Sequence, residues 1–202
     1  MKTLCRFSLV LITLLVSIII LIIHYLVFDK TTFLVYIQIF LCPFFSLIIV
    51  LVSMLFKIKI PLTLNIAINL HLILTIGLGT VMDLYQKIFW WDLFVHGMFG
   101  SIAVYSLMTI FKNDNYKYCL AFSLASLGLG GLWELFEYSG DIIFGNDVQR
   151  INESINNNKL PQADIMEDLL VTLIGALLFV GFYLLFGLIN EKNSKTIKNK
   201  VN

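Results

Sequence analysis

Trp133-Glu134-Leu135-Phe136-Glu137-Tyr138-Ser139-Gly140-Asp141 closes a long apolar run with three carboxylates. At 100° per residue Glu134, Glu137 and Asp141 fall within roughly a 60° sector, so a helix here carries one acidic stripe on an otherwise greasy rod. Acids inside a membrane segment are costly and usually functional. The stretch therefore predicts both a membrane-crossing helix and an acidic pocket built on it.

The rest of the chain agrees with a membrane setting. Of 202 residues, 59% are hydrophobic and 13% are charged, well below the quarter that is usual for a soluble domain. The mean hydropathy is +0.90. A net charge of +1 gives no basic field for nucleic acid, and no nucleic-acid motif occurs. Cys5, Cys42 and Cys119 show neither CxxC nor Cys/His metal spacing. The apolar run after Lys2 and Arg6 is too long for a signal core and has no small-x-small cleavage site after it, so it reads as an anchor helix.

Spanning hydrocarbon takes roughly 20 apolar residues. Six such helices can be placed, at about 7–28, 33–56, 61–82, 92–111, 117–140 and 165–189. The expectation is an all-α polytopic membrane bundle, one domain over residues 1–202 with a basic tail from 190. The connection from 141 to 164 is the longest, and its Asn-rich stretch Asn152 to Lys159 reads as flexible. With the N-terminus in the cytoplasm, ten of the 14 basic residues lie on that side, so the positive-inside rule predicts two cytoplasmic termini and an extracytoplasmic 141–164 loop.

That topology collects the polar groups at the outer ends of four helices. Asp83 ends the third span, whose Asn65 and Asn69 share its face and read as helix-to-helix hydrogen bonds. Asp92 and His96 open the fourth span one turn apart, and Asp164 and Asp168 do the same in the sixth. Tyr85, Phe89, Trp90 and Trp91 read as an interfacial aromatic belt. His24 reads as interfacial, and His71 as a packing residue.

So many carboxylates cannot all ionise in a low-dielectric site without a counter-charge, and within the third to sixth spans the one Lys or Arg is Lys117, the first residue of the fifth. Either some stay protonated or a bound cation neutralises them; a divalent ion, alone or with bound protons, is the leading expectation, with His96, Glu134, Glu137 and Asp168 as its ligand core. One imidazole among carboxylates suits Mg²⁺, Mn²⁺ or Ca²⁺ better than Zn²⁺. Asp92 would orient His96 or act with Asp141 as general base. The pattern thus points to a metal-dependent hydrolase or transferase acting on a lipid or lipid-linked head group, its oligomeric state open. A proton- or cation-coupled transporter and a non-enzymatic scaffold are the other readings; the chain shows no inverted repeat to favour the first of these.

Asp92-x-x-x-His96-x-x-x-Gly100, then Trp133-Glu134-x-x-Glu137-x-x-x-Asp141, then Asp164-x-x-x-Asp168 with Gly175 beyond it, resembles the YjdF-like family of bacterial inner-membrane proteins over roughly residues 83–187. The resemblance implies a bacterial inner-membrane location and supports the acidic site, without implying an activity.

Overall fold

In a computed structural model of the protein, the backbone is described for residues 3–28, 33–113, 115–145, 149, 151–156, 158–160 and 162–201, and the statements on side chains below concern residues between Phe7 and Gly187. Among the described residues all regular structure is helical. The helices are α1 (Thr3–Val27), α2 (Phe33–Leu55), α3 (Leu62–Leu72) running into a π-helical segment (Ile73–Val81), α4 (Leu84–Lys87), α5 (Trp91–Phe111), α6 (Tyr116–Phe144), α7 (Ile151–Asn156) and α8 (Ala163–Val201). Six of the described stretches are long and apolar enough to cross a membrane: Phe7–Val27, Val35–Leu55, Leu62–Val81, Trp91–Phe111, Lys117–Ile143 and Ala163–Gly187.

Two compact units can be distinguished, residues 1–98 with 109–111, and residues 99–108 with 112–202. In the first, α1 packs on α2 and on the π segment, and Ile20, Ile39 and Val81 form the buried apolar cluster. The third span changes from α to π geometry near Thr75, whose hydroxyl donates to the His71 carbonyl at 2.8 Å and competes with the helical ladder there. The segment closes with Met82 N–H donating to the Gly77 carbonyl, a step of five residues, at 3.2 Å. Gly77 is required by packing, since a Cβ there would stand 2.8 Å from the Ile20 side chain. Asp83 then takes a left-handed backbone, φ 62°, which Asp tolerates better than most residues, and starts α4.

Asn69 ties this unit together from inside. Its Oδ1 accepts from the Thr13 hydroxyl of α1 at 2.8 Å and from the Ser46 hydroxyl of α2, while its Nδ2 donates to the Asn65 carbonyl and Oδ1 at 2.7 and 2.9 Å. All four residues are buried. In hydrocarbon a polar side chain finds partners only in protein, so one amide joins three spans, as the two Asn residues had suggested. His24 is likewise buried, its Nδ1 donating to the Val81 carbonyl at 2.8 Å and its ring stacking on Phe28.

In the second unit Val104, Met108, Cys119, Phe122, Ala176 and Val180 form the apolar cluster of α5, α6 and α8. The nearest approach is at Gly100, where a Cβ would lie 1.9 Å from the Thr172 carbonyl oxygen. The Ser101 hydroxyl donates to the Gly175 carbonyl at 2.9 Å beside it. Small residues here let two backbones touch, the usual device where lipid removes any hydrophobic drive between helices.

Besides α8, which runs past the expected 189 to Val201, two boundaries differ from the sequence expectation. Helix α6 runs through Gly140 and Asp141 to Phe144 and ends at Gly145, whose left-handed φ of 66° and N–H bond to the Asp141 carbonyl make it the real terminator. The Asn-rich stretch contains a helical turn, α7, and Asn158 stops it with φ 56° as Lys159 N–H donates to the Ser154 carbonyl at 2.8 Å.

Gly100→Ala is expected to lower the unfolding temperature in detergent, with a cost of about 1–3 kcal/mol or more from forced overpacking. Gly128→Ala, at a position with nothing within 4 Å, leaves it within experimental scatter or raises it slightly. Equal behaviour of the two variants in a thermal unfolding assay would contradict the close approach at Gly100.

Candidate functional site

The polar residues of the acidic pattern fall into two sets, one in each unit. In the first unit Trp91 and Asp92 open α5, with Trp91 N–H donating to the Ile88 carbonyl at 2.9 Å. An acid in a first turn is favoured by the helix dipole. Four residues on, His96 comes round to the same face, and its Nε2 lies 3.6 Å from Asp92 Oδ1. His96 is 8% exposed and Asp92 half-buried. The two side chains thus turn one nitrogen and one carboxylate oxygen towards a common point, the arrangement a metal or a shared proton requires.

In the second unit the α6 stripe divides by environment. Glu134 is 5% exposed. Glu137 is half-buried, and its Oε1 accepts from the Trp133 indole N–H at 2.8 Å, one turn back on the same helix. The carboxylate that the sequence reading assigned to a metal is engaged here by an aromatic side chain at an exposed position. Asp141 is half-buried, and its Oδ2 accepts from the Gln149 backbone N–H at 3.1 Å. The Gln149 side chain donates through Nε2 to the Glu134 carbonyl at 2.9 Å and lies 3.5 Å from Glu134 Oε2. Gln149 therefore brings Asp141 and Glu134, two turns apart on α6, into one polar group.

Asp168 is the most buried acid of the pattern, 3% exposed, on the face of α8 that also carries Thr172, fully buried against Gly100 and Gly130. Asp164, one turn earlier, is half-buried, and Glu167 pairs with Lys159 at 3.3 Å on the surface. The α8 stripe thus runs from solvent to interior, as the Asp164-x-x-x-Asp168 spacing anticipates.

Gln149 was not legible beforehand. It stands eight residues past Asp141 in a polar connection with no periodicity, so nothing in its neighbours marks it as buried. The Trp133–Glu137 bond could have been found, because an indole and a carboxylate four apart on a helix face one another.

With that geometry in view, comparison with known proteins gives one positive result. No curated protein sequence and no solved structure matches the chain. The model of the family described as "Predicted membrane protein (DUF2238)" matches residues 8–188, which takes in nearly all of the six membrane-capable helices. On that match the protein belongs to this uncharacterised membrane-protein family.

Proposed function

We propose that this protein is a membrane enzyme of the hydrolase or transferase class that uses a divalent cation on a lipid or lipid-linked head group, with Asp92 and His96 among the protein ligands. The observation that carries the reading is the pairing on the first turns of α5, where the buried His96 Nε2 lies 3.6 Å from Asp92 Oδ1, so that one imidazole nitrogen and one carboxylate oxygen can share an ion. Turning either charge to lipid instead would cost roughly 2.5–3.5 kcal/mol on insertion scales.

With one imidazole among the carboxylates of the sequence pattern and no thiolate, the chemistry favours Mg²⁺, Mn²⁺ or Ca²⁺. A bound ion of this kind polarises a phosphoryl or carbonyl oxygen and activates water. Asp92 serves in this proposal as a ligand beside His96 rather than as a remote base. Asp141 keeps the role of proton acceptor, oriented by the Gln149 N–H on its Oδ2. Glu134 and Glu137 lie on α6 in the second unit, and Glu137 Oε1 already accepts from the Trp133 indole.

The finer placement follows the sequence. Ten of 14 basic residues on one side support a bacterial inner-membrane protein with both termini in the cytoplasm and the acidic ends of α5, α6 and α8 facing outward. The ordered motifs on those helices support its assignment to the YjdF-like group.

Elemental analysis of protein purified without chelator is expected to find about one divalent metal per chain. His96→Ala and Asp92→Asn should each lose most of it while keeping the wild-type elution profile, as removal of a ligand typically weakens metal sites by well over tenfold. Wild-type protein that retains no metal and binds none on titration would remove the proposal.

Single cysteines placed in the 141–164 loop, in a background free of native cysteine, are expected to react with a membrane-impermeant maleimide from outside intact cells. A reporter fused after Asn202 should be active only in the cytoplasm. The opposite pattern would invert the orientation.

A further inference from the structure

Gln149 holds one polar atom that the pairing in the second unit does not use. Its Nε2 is committed to the Glu134 carbonyl at 2.9 Å, and its backbone N–H to Asp141 Oδ2 at 3.1 Å. Its Oε1 is buried and has no hydrogen-bond partner among the described residues. The residue as a whole is only 3% exposed. A buried amide oxygen normally finds a donor, because leaving it without one costs the desolvation of a strong acceptor. This oxygen sits on the same amide carbon as the nitrogen that lies 3.5 Å from Glu134 Oε2, so it stands beside a buried carboxylate.

We propose that Gln149 Oε1 and the Glu134 carboxylate form a binding site for a primary ammonium group. The site lies wholly within the second unit and does not depend on the metal reading. Two neighbouring oxygen acceptors, one of them anionic, call for a ligand that carries both positive charge and N–H donors. An alkylammonium supplies three donors and one charge, and charge-assisted bonds of this kind are about twice as strong as neutral ones.

Other cations fit less well. A quaternary ammonium has no N–H and is recognised by aromatic faces, whereas the groups meeting here are an amide and a carboxylate. Calcium takes six to eight oxygens. Asp141, seven residues from Glu134 on α6 and so roughly 10 Å along the axis, is tied to the Gln149 backbone and serves to position that residue. Such an ammonium group occurs both on amino-headgroup lipids and on small soluble amines, and the site chemistry is common to the two.

The test uses the full-length protein in nanodiscs. In one arm, discs of phosphatidylcholine alone are compared with discs in which a graded fraction is phosphatidylethanolamine; in the other, ethylammonium chloride is titrated into phosphatidylcholine discs, with tetramethylammonium and calcium chloride as controls. Unfolding temperature and tryptophan emission are read in both arms. The primary amine is expected to stabilise the wild type in at least one arm, and the arm that responds identifies the source as lipid or soluble.

Gln149→Leu and Glu134→Gln should each weaken the apparent affinity by about tenfold or more, the loss expected for a hydrogen bond to a charged group. Glu137→Gln should leave it unchanged. A wild type that does not distinguish primary from quaternary amine overturns the proposal, as does unchanged affinity in Gln149→Leu. A response to calcium that disappears in Gln149→Leu also overturns it, in favour of a metal. If Gln149→Leu does not purify as a single species, Glu134→Gln decides alone: unaltered affinity rejects the site. Metal content of these variants is measured in parallel, so loss of amine binding with metal retained separates this site from Asp92 and His96.

Discussion

A polar atom in a membrane-crossing helix must find its partner inside the protein, because hydrocarbon offers none. The same constraint accounts for the interior of each unit. In the first it gathers Thr13, Ser46 and Asn65 around the Asn69 amide and sends the His24 ring to the Val81 carbonyl. In the second it turns Ser101 onto the Gly175 carbonyl and folds Gln149 back onto α6. Apolar side chains in these spans have less power to specify anything, since a leucine is nearly as comfortable against lipid as against another leucine. The polar minority and the small residues carry most of the specificity.

Close backbone approach is the second half of that logic. At Gly100 the absence of a side chain lets α5 reach the Thr172 carbonyl, and the contact sets the register of α5 on α8 to within a turn. At Gly77 the same device lets α1 press on the π segment. Both glycines lie in helices, where they lower intrinsic stability by roughly 0.5–1 kcal/mol relative to Ala. The packing they permit outweighs that loss.

The acids of the sequence pattern are not chemically equivalent once folded. Glu134 and Asp168 are buried, Asp92 lies half-buried against His96, and Glu137 and Glu167 are met near the surface by an indole and a lysine. Residues of one type on one stripe are thereby sorted by depth into groups that demand compensation and groups that solvent can serve. The proposed ammonium site follows from the buried class.

Membership of an all-helical membrane class, the number of spans and the acidic stripes were legible in the sequence, because length, hydropathy and the 100° helical step are local properties of the chain. The pairing of Asp92 with His96 was readable for the same reason, as an i,i+4 relation. What stayed hidden depends on contacts between distant segments. Gly140 and Gly145 look alike as helix terminators, and only the conformation reached at Gly145 decides between them. The π segment Ile73–Val81 meets Ile20 of α1 at Gly77, and the burial of His24 needs the carbonyl that this segment presents at Val81. Gln149 is the clearest case: a glutamine in a polar connection carries no periodic signal, and its burial against Glu134 exists only because the chain returns along α6.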